Sequence, residues 1–347
     1  MELYLGVDFH PHQQPVCGCD PQTGEFKLKT LRHDNDEVRI FYQQMPPAIV
    51  GIEATAQATW FEQLLFENKH KLLVGNPKLI RLRATSRHKS DDRDAELIFD
   101  LLRRGEFPTL WRRPPECTQL LEILRLRTQF VRQRTQTYNR LQALAHAAGL
   151  PKGKMKTQTY QQRLSEIELN PAMQLRRQHL LALLAQLDQQ ISELETWLQK
   201  QAATDQQVKL LLTQRGVGYL TALAVVHTLG DVKRFTSTRQ ITAFIGLDPI
   251  EQSSGGKQKF GGISKAGSPL TRFLLGQSAN IASRFDPYFK SFYKRLAKKK
   301  LKAVAKTATA RKLLVKLSIM LRDQITAQEF AERGRTLDDA RRLQGLK

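Results

Sequence analysis

The sequence of 347 residues predicts a mixed α/β domain at the amino terminus, followed by a chain that is mainly helical. Up to about residue 103, short apolar runs of strand length alternate with amphipathic segments of helical period. Beyond residue 114, apolar residues recur at spacings of three and four over long stretches, which is the helical period. We therefore expect an α/β domain at 1–113, a helical coiled-coil domain at 114–205, a mainly helical carboxy-terminal domain at 206–325 and a polar tail at 326–347.

The amino-terminal domain begins with three predicted strands and continues with alternating helices and strands. The first apolar run, Leu3 to Val7, ends in Asp8, and two further extended runs flank a turn at residues 20–24, which is the pattern of a β-meander. Another apolar strand, Ala48 to Ile52, ends in Glu53. The remaining elements are expected as helices at about 34–44, from 57, from 77 and at about 92–102, with a strand at 72–74. This β-β-β-α-β-α-β-α order is typical of mixed α/β folds.

Four carboxylates stand within six residues at the start of the last of these helices, in a chain that is otherwise strongly basic. If the helix begins near residue 92, Asp91 and Asp94 share one of its faces, whereas Asp92 points elsewhere. A divalent cation such as Mg²⁺, which takes oxygen ligands, would relieve the repulsion between two such carboxylates. Capping of the helix explains the same acids about equally well, because negative charge at a helix start offsets the macrodipole.

Asp8 and Glu53 each follow an apolar strand directly. Strand ends are where α/β folds present their chemistry, so these two acids are candidates for a site. One such acid would be explained by a turn or a cap. Two of them on neighbouring strands, together with Asp91 and Asp94, form a set of four carboxylates that suits a metal centre.

Short motifs around these acids resemble, in order and in spacing, the DEDD motif of the IS110/IS1111 family of insertion-sequence transposases. They are Gly6-Val7-Asp8, Gly51-Ile52-Glu53-Ala54-Thr55, Asn76-Pro77 and Lys89-Ser90-Asp91-x-x-Asp94-Ala95. The resemblance implies a RuvC-like nuclease domain of the RNase H type, with a mixed sheet and helices. It also implies metal-dependent phosphodiester chemistry, with Asp8, Glu53, Asp91 and Asp94 as ligands of Mg²⁺, or of Mn²⁺ in its place.

The middle of the chain carries a heptad seam. Six apolar residues alternate at spacings of four and three: Leu180, Leu184, Leu187, Ile191, Leu194 and Leu198. This pattern predicts a helical hairpin or a coiled coil. An antiparallel pair within one chain and an interface between copies explain it equally well.

The carboxy-terminal part contains a Gly216-x-Gly218 turn between two predicted helices, similar to the hairpin of helix-hairpin-helix modules, in which backbone N–H groups approach a phosphate. Farther on, residues 252–268 are rich in glycine, serine and lysine. Such a stretch is either a flexible linker or a phosphate-handling loop, and its composition alone favours the linker.

Motif resemblance reverses that interpretation. Gly246-Leu247-x-Pro249, Ser253-Ser254-Gly255-Gly256-Lys257 and Gly262-Ile263-Ser264-Lys265-x-Gly267 resemble the carboxy-terminal transposase domain of the same family, in particular its IS1111 branch. The resemblance implies that the serine before the first glycine, Ser254, is a nucleophile. Ser253 stands where other members have an acid, so the choice between Ser253 and Ser254 stays open. No histidine is close in sequence, which favours a metal ion as the activator of the hydroxyl.

The charge balance predicts a polyanionic partner. Lysine and arginine number 55 against 33 acids, a formal net charge of +22, which makes nucleic acid the default partner. No apolar run reaches the roughly 18 to 20 residues of a membrane span and the start lacks the pattern of a signal peptide, so a cytoplasmic protein without membrane contact is expected. The residues expected to contact nucleic acid are Arg215, Lys257, Lys259, Lys265, Lys298, Lys299 and Lys300.

The resemblance implies a DNA recombinase that cleaves and rejoins strands through Ser254 with Mg²⁺. Its partners would be double-stranded DNA at the element ends and the target, a non-coding guide RNA, and further copies of the chain in a dimer or tetramer. One alternative is a RuvC-class, structure-selective endonuclease that uses only the four carboxylates. Another is a non-catalytic nucleic-acid-binding protein in which the acids are caps and ion-pair partners.

Overall fold

A computed structural model describes residues 2–19, 26–55, 58–83, 91–151, 153–251 and 260–334. The chain divides into two compact units, Met1–Arg112 and Arg113–Lys347, which are described one at a time. No helix in the described ranges is both long and apolar enough to cross a membrane.

The described residues of the first unit form five strands and four helices in the predicted order. The strands are β1 (Leu3–Val7), β2 (Gln13–Cys19), β3 (Phe26–Arg32), β4 (Ala48–Glu53) and β5 (Lys71–Gly75). The helices are α1 (Glu37–Gln44), α2 (Thr59–Glu67), α3 (Pro77–Leu82) and α4 (Asp91–Arg103).

The five strands form one mixed sheet in the order β3-β2-β1-β4-β5. β1, β2 and β3 are antiparallel neighbours, whereas β1, β4 and β5 run parallel. An antiparallel meander that continues into parallel strands with crossover helices is the arrangement of RuvC/RNase H-like domains, so the predicted fold class is confirmed. Side chains alternate along each strand, and Leu5 and Val50 on one face are buried with Tyr42 of α1 and Phe61 of α2.

The opposite face of the sheet is covered by α4 at very close range. A Cβ added to Gly6 of β1 would lie 2.8 Å from the Cα of Phe99, and nearer still to the Ala95 carbonyl and the Phe99 nitrogen. Only a residue without a side chain allows the helix backbone to approach the strand in this way. Cys17 of β2 is buried beneath the same helix, and desolvation, followed by the charges of Glu96 and Asp100, raises its pKa to about 11. It is therefore a neutral packing residue at neutral pH.

The second unit begins with a helical hairpin. Its helices are α5 (Pro115–Ala147), the short α6 (Gln158–Glu166) and α7 (Pro171–Thr204). Arg127 of α5 pairs with Glu195 of α7, and Arg134 pairs with Asp188 at 2.9 Å, so α5 and α7 are antiparallel. Most of the seam residues are buried within the chain: Leu180, Leu184, Leu187, Ile191 and Leu198. The structure thus shows the intrachain alternative for the heptad seam, while oligomerisation stays a prediction.

The rest of the second unit is a helical body with one small hairpin of strands. Its helices are α8 (Gln206–Leu212), α9 (Tyr219–Leu229), α10 (Thr238–Ile245), α11 (Pro269–Phe285), α12 (Pro287–Ala297) and α13 (Lys302–Asp323), with a 3-10 turn at Val232–Arg234. The strands β6 (Pro249–Glu251) and β7 (Phe260–Ile263) pair antiparallel. The core has fully buried side chains from α9, α11 and α13, among them Leu223, Leu275 and Leu313.

Three features of this body were not evident from the sequence. Gly216 adopts a φ of 95°, and an added Cβ would lie 2.7 Å from the backbone nitrogen of Ala282, so this glycine permits close packing against α11. α13 begins at Lys302, ahead of its apolar stripe, because lysine and alanine are good helix formers even without one. Residues 327–334, expected as part of a polar tail, are helical and Phe330 packs against the core.

Candidate active site

Asp8 lies at the carboxyl end of β1 and is largely buried. Its N–H donates to the carbonyl of Pro15 at 3.1 Å, which extends the β1–β2 pairing by one residue beyond Val7. The residue is 8% exposed, and its carboxylate accepts a hydrogen bond at 2.9 Å from Nε2 of His10. Burial of an acid normally costs free energy, so a structure that keeps Asp8 here must satisfy its oxygens. His10 satisfies one of them and holds the side chain in place.

Glu53 ends the neighbouring parallel strand. In the β1–β4 pairing Val7 stands opposite Ile52, so the next residues, Asp8 and Glu53, are neighbours across the two strand ends. Gly6 and Gly51 both face α4, as the atoms nearest to their added Cβ positions show. Because side chains alternate along a strand, Asp8 and Glu53, two residues farther on, project from that same face. The carboxylate of Glu53 lies 3.7 Å from Arg81, a mostly exposed partner, and such surface pairs contribute little.

α4 supplies the other acids of the predicted set. Asp91 is its first residue, and the description covers its backbone and not its side chain. Asp94 is half-buried next to Ala95, which packs against the sheet, whereas Asp92 is exposed. Asp94 thus lies at the edge of the packed face and Asp92 faces away from it, as the helical period predicts.

The described carboxylates have the donor chemistry of a divalent-cation site. Mg²⁺ prefers carboxylate oxygens, and Asp8, Glu53 and Asp94 offer these from two adjacent strand ends and the helix that covers them. Among the described residues, no three His, Cys, Asp or Glu side chains stand close enough together to hold a metal ion. The donor set therefore fits the ion by residue type, and its assembly into a ligand shell stays a prediction.

The predicted nucleophile belongs to the second unit. Ser253, Ser254, Lys257 and Lys259 lie outside the described residues. What is described is the frame that carries them: β6 and β7 flank residues 252–259 and pair with each other. The composition of residues 252–268 predicted a loop, but the described residues on either side of 252–259 are short paired strands. Below the hairpin, the Ser264 hydroxyl donates to the Asp248 carboxylate.

The predicted cationic residues fall into separate places. Arg215 is exposed in the turn before α9, and its guanidinium donates to the carbonyl of Phe285 at 3.2 Å. Lys265 follows β7 and has a φ of 55°, which is the left-handed region. Lys298, Lys299 and Lys300 are exposed at the end of α12.

A cationic cleft of about 520 Å³ lies along α12. Lys290, Lys294, Arg295 and Lys298 line it, and no described lining residue is acidic. Lys290 is not among the residues predicted to contact nucleic acid, although the spacing of four residues from Lys290 to Lys294 to Lys298 places the three lysines on one face of a helix. Such a cleft suits a phosphate backbone.

A second group that the sequence did not indicate joins α5, α8 and α9. His227 lies with Nδ1 at 3.2 Å from the sulfur of Cys117 and with Nε2 at 3.4 Å from the carboxylate of Asp205. The hydrogen bond with His227 is the main cause of the lowered pKa of Asp205, and the backbone N–H groups of Gln207 and Val208 add to it. Burial raises the pKa of Cys117 and so disfavours its thiolate form, so we interpret the contacts of Cys117, His227 and Asp205 as structural. Residues 110 positions apart give no local signal of such contact.

Comparison with known proteins gives matches to both units. A family model described as Transposase IS116/IS110/IS902 family matches residues 208–294, and a DEDD transposase model of IS110 matches residues 5–148. The transposase for insertion sequence element IS1328 of Yersinia enterocolitica is 30% identical over 291 residues, which cover 80% of this chain and 83% of that protein. The transposase for insertion sequence element IS1111A of Coxiella burnetii is 30% identical over 286 residues, or 81% of this chain and 78% of that protein.

A third relative is named for a different process. The pilin gene-inverting protein of Moraxella bovis is 30% identical over 275 residues, which cover 76% of this chain and 76% of that protein. The matches span both the unit with the strand-end acids and the unit whose sequence contains Ser253 and Ser254. The chain therefore belongs to the IS110/IS1111 family of insertion-sequence transposases.

Proposed function

We propose that this chain cuts and rejoins DNA at the ends of its own mobile element by transesterification at a serine, with Mg²⁺ as cofactor. The observation that carries the proposal is the position of Asp8 and Glu53 at adjacent, register-paired strand ends on the face covered by α4. A capping or ion-pair role accounts for Asp91 or Asp94 alone, but it does not explain why a largely buried Asp8 lies beside Glu53. Membership of a DEDD family supports the use of a divalent metal at these acids.

In this proposal Asp8, Glu53, Asp91 and Asp94 would hold the cation. When bound, Mg²⁺ supplies positive charge that stabilises the developing negative charge on the scissile phosphate. His10 keeps the carboxylate of Asp8 oriented through its 2.9 Å hydrogen bond. Close packing of α4 on Gly6 sets the height of Asp94 above the strand ends.

Ser254 would carry the covalent step. Its hydroxyl oxygen attacks the phosphorus, a serine–phosphate ester forms, and the deoxyribose oxygen leaves with the proton as a free hydroxyl. Attack of a strand-end hydroxyl on that ester reverses the exchange, releases Ser254 and rejoins the DNA. One ester is exchanged for another in each step, so no external energy source is required.

The four acids of the predicted metal site and the predicted nucleophile Ser254 belong to different compact units of the chain. A complete site therefore needs either contact between the two units of one chain or contact between copies. We favour assembly between copies, in a dimer or tetramer around paired DNA ends in the cytoplasm. The pilin gene-inverting relative, whose name denotes inversion of a gene, supports recombination as the reaction class.

The cationic surface suits two nucleic acids at once. With a net charge of +22, the chain can neutralise many phosphates, and the α12 cleft is one place for them. We propose that a non-coding RNA from the element binds together with the DNA and guides target choice. RNA that purifies with the protein from cells carrying the intact element would map to non-coding DNA of that element, whereas bulk cellular RNA alone would contradict the guide.

Excision from a plasmid that carries the gene with its flanking DNA tests the catalytic proposal. Asp8→Asn, Glu53→Gln and Asp94→Asn are expected to lower the yield of the rejoined junction at least about 100-fold, because removal of a catalytic charge typically costs this much. Asp92→Asn is the matched control in the same helix, and its exposed side chain predicts an unchanged yield. Equal losses for Asp92→Asn and Asp94→Asn would contradict the metal site.

Trapping of a covalent adduct tests the serine. Denaturing extraction should recover protein-linked DNA from the wild type and from Ser253→Ala, but not from Ser254→Ala. Adduct with Ser254→Ala and none with Ser253→Ala would move the nucleophile by one residue. DNA cleavage without adduct in any variant would favour the RuvC-class endonuclease that uses the four carboxylates and water.

A further inference from the structure

A groove of about 310 Å³ lies in the second unit where α11, α13 and the turn after β7 meet. Six of its lining residues matter here: Ile263, Lys265, Arg272, Phe273, Gly276 and Lys306. Its volume stands at the low end of the roughly 300 to 1,000 Å³ typical of small-ligand sites, which suits one nucleotide. Of these six residues, only Lys265 was assigned a role in the predicted site.

The charge of the groove is of one sign. Lys265, Arg272 and Lys306 line it, and the described lining includes no acid. The guanidinium of Arg272 donates to the carbonyls of Ile245 at 2.8 Å and Gly267 at 2.6 Å, so this side chain ties α11 to the turn below the hairpin. The two lysines therefore remain as the long, flexible cations of the groove.

Lys265 is held in a costly backbone conformation. Its φ of 55° places a residue with a Cβ in the left-handed region, which is unfavourable for residues other than glycine. Its N–H donates to the carbonyl of Gly246 at 3.2 Å, and an added Cβ on Gly267 would lie 2.7 Å from the carbonyl carbon of Ile245. These tight contacts fix the turn, and a glycine at position 265 would adopt this φ with less conformational strain. A lysine kept there at a loss of stability indicates a use for its side chain.

Phe273 gives the groove an accessible aromatic face. The residue is 48% exposed, although phenylalanine gains free energy from burial. One turn farther along α11, Gly276 has no side chain and open space where a Cβ would be, which leaves room beside the ring. Proteins that bind single strands combine a cationic groove with aromatic rings on which bases stack, whereas a duplex keeps the faces of its bases covered.

We propose that this groove binds one unpaired nucleotide of the DNA strand that is being exchanged, with the base on Phe273 and the phosphate between Lys265 and Lys306. The inference rests on the proposed function, because Ser254 precedes β7 in the sequence and β7 leads through Ile263 and Lys265 into the groove. The groove would hold the strand next to the cut in a fixed register. Phe273, Lys265 and Lys306 are then positioning residues for the reaction.

Direct binding of a single-stranded probe tests the groove with the full-length chain. The probe is a deoxyoligonucleotide of about 12 nucleotides, within the site sizes of single-strand-binding proteins, with one fluorescent adenine analogue whose emission falls on stacking. Phe273→Leu is expected to weaken binding about 5- to 100-fold and to abolish the quenching, because one base–aromatic stack is lost. Phe66→Leu, which removes a 78% exposed ring on α2, is the control and should bind like the wild type.

A second pair of variants separates binding from stability. Lys265→Gly should raise the midpoint of thermal unfolding and make the salt dependence of probe binding shallower by about 0.7 in log–log slope, the value for one phosphate contact on a single strand. Gln324→Gly removes a φ of 54° at the end of α13 and should raise the midpoint without any change in binding.

Several outcomes would overturn the groove. The proposal fails if Phe273→Leu binds and quenches the single-stranded probe as well as the wild type does. It also fails if binding of the matching duplex depends on Phe273 to the same extent. Tighter, Phe273-dependent binding of a ribo-oligonucleotide of the same sequence would assign the groove to RNA and contradict the DNA assignment. Ser254→Ala should bind the probe like the wild type. If that variant still excises the element while Phe273→Leu fails to bind, the proposed chemistry is wrong and the groove stands.

Discussion

The close approach of α4 to the sheet predicts opposite outcomes for two neighbouring glycines. Gly6 and Gly51 pair in register and face the same helix. A methyl group at position 6 would meet backbone atoms of Ala95 and Phe99, one of them at 2.8 Å and two at shorter range. At position 51 it would meet side-chain ends, at 2.7 Å from Cδ1 of Leu102 and 3.0 Å from Cγ2 of Ile98. Side-chain ends can rotate away, whereas a helix backbone has to move as a body.

The magnitude follows from the contact distances. Ordinary van der Waals contact of a methyl carbon starts at 3.4 Å, so Gly6→Ala requires α4 to lift by about 1 Å. Overpacking costs about 1 to 3 kcal/mol or more, and the lower entropy of the unfolded chain returns about 0.4 to 1 kcal/mol. We expect a net loss of about 2 kcal/mol for Gly6→Ala and a change below about 1 kcal/mol for Gly51→Ala. A 1 Å displacement of Asp94 from the strand-end acids should also lower excision about 100-fold.

Denaturant unfolding measures the first effect, and the yield of the rejoined junction measures the second at a temperature where both variants are folded. Equal stability of the two variants would show that α4 does not rest on β1 as described. A destabilised Gly6→Ala with wild-type excision would refute the reasoning that connects the height of α4 with catalysis.

Three more predictions concern the lysines after α12, the helix-capping Asp205 and the packing of the α5–α7 hairpin. Replacement of Lys298, Lys299 and Lys300 by glutamine should make the log–log salt dependence of duplex DNA binding shallower by about 2 to 3, since each phosphate contact contributes about 0.9; an unchanged slope would remove these lysines from the interface. Asp205→Ala should lower the free energy of unfolding by about 1 kcal/mol at neutral pH through loss of a helix cap. The pKa of Asp205 is lowered in the folded chain, so the stability that its carboxylate contributes is present above the unfolded pKa near 3.9 and is lost as the pH falls below it. Denaturant unfolding at several pH values should therefore show the difference in unfolding free energy between the wild type and Asp205→Ala decreasing below about pH 4. A difference that does not change with pH would show that the charge of Asp205 contributes nothing. Leu184→Ala should cost about 2 to 5 kcal/mol at low and at high protein concentration, because the seam packs inside one chain, and a gap that grows with concentration would place the seam between copies.

The first unit was predictable because its signals are local. An apolar run that ends in an acid marks both the strand and the candidate ligand, and so Asp8 and Glu53 could be found without any knowledge of strand pairing. Asp94 followed from the helical period alone. The register that makes Asp8 and Glu53 neighbours is a long-range property, and only the fold provides it.

The second unit was less predictable because its contacts join distant segments. Composition concealed the strands β6 and β7, since glycine, serine and lysine around them outweigh a strand signal of three or four residues. Gly216 was interpreted as part of a phosphate turn from its neighbours in sequence, and its contact with the backbone of Ala282, 66 positions away, could not be predicted from them. The groove beside Phe273 likewise combines residues from three elements, none of which is unusual alone.

The hairpin of α5 and α7 sets a length scale for any nucleic acid that the second unit holds. α5 has 33 residues and is roughly 50 Å long. One end of the hairpin packs into the core of the helical body through Leu124, and the other has an apolar cluster of its own around Leu141. The interval between these two residues measures roughly 25 Å, or about seven base-pair steps of B-DNA. A DNA duplex that contacts both the helical body and the far end of the hairpin must therefore extend over most of one helical turn between the two contacts.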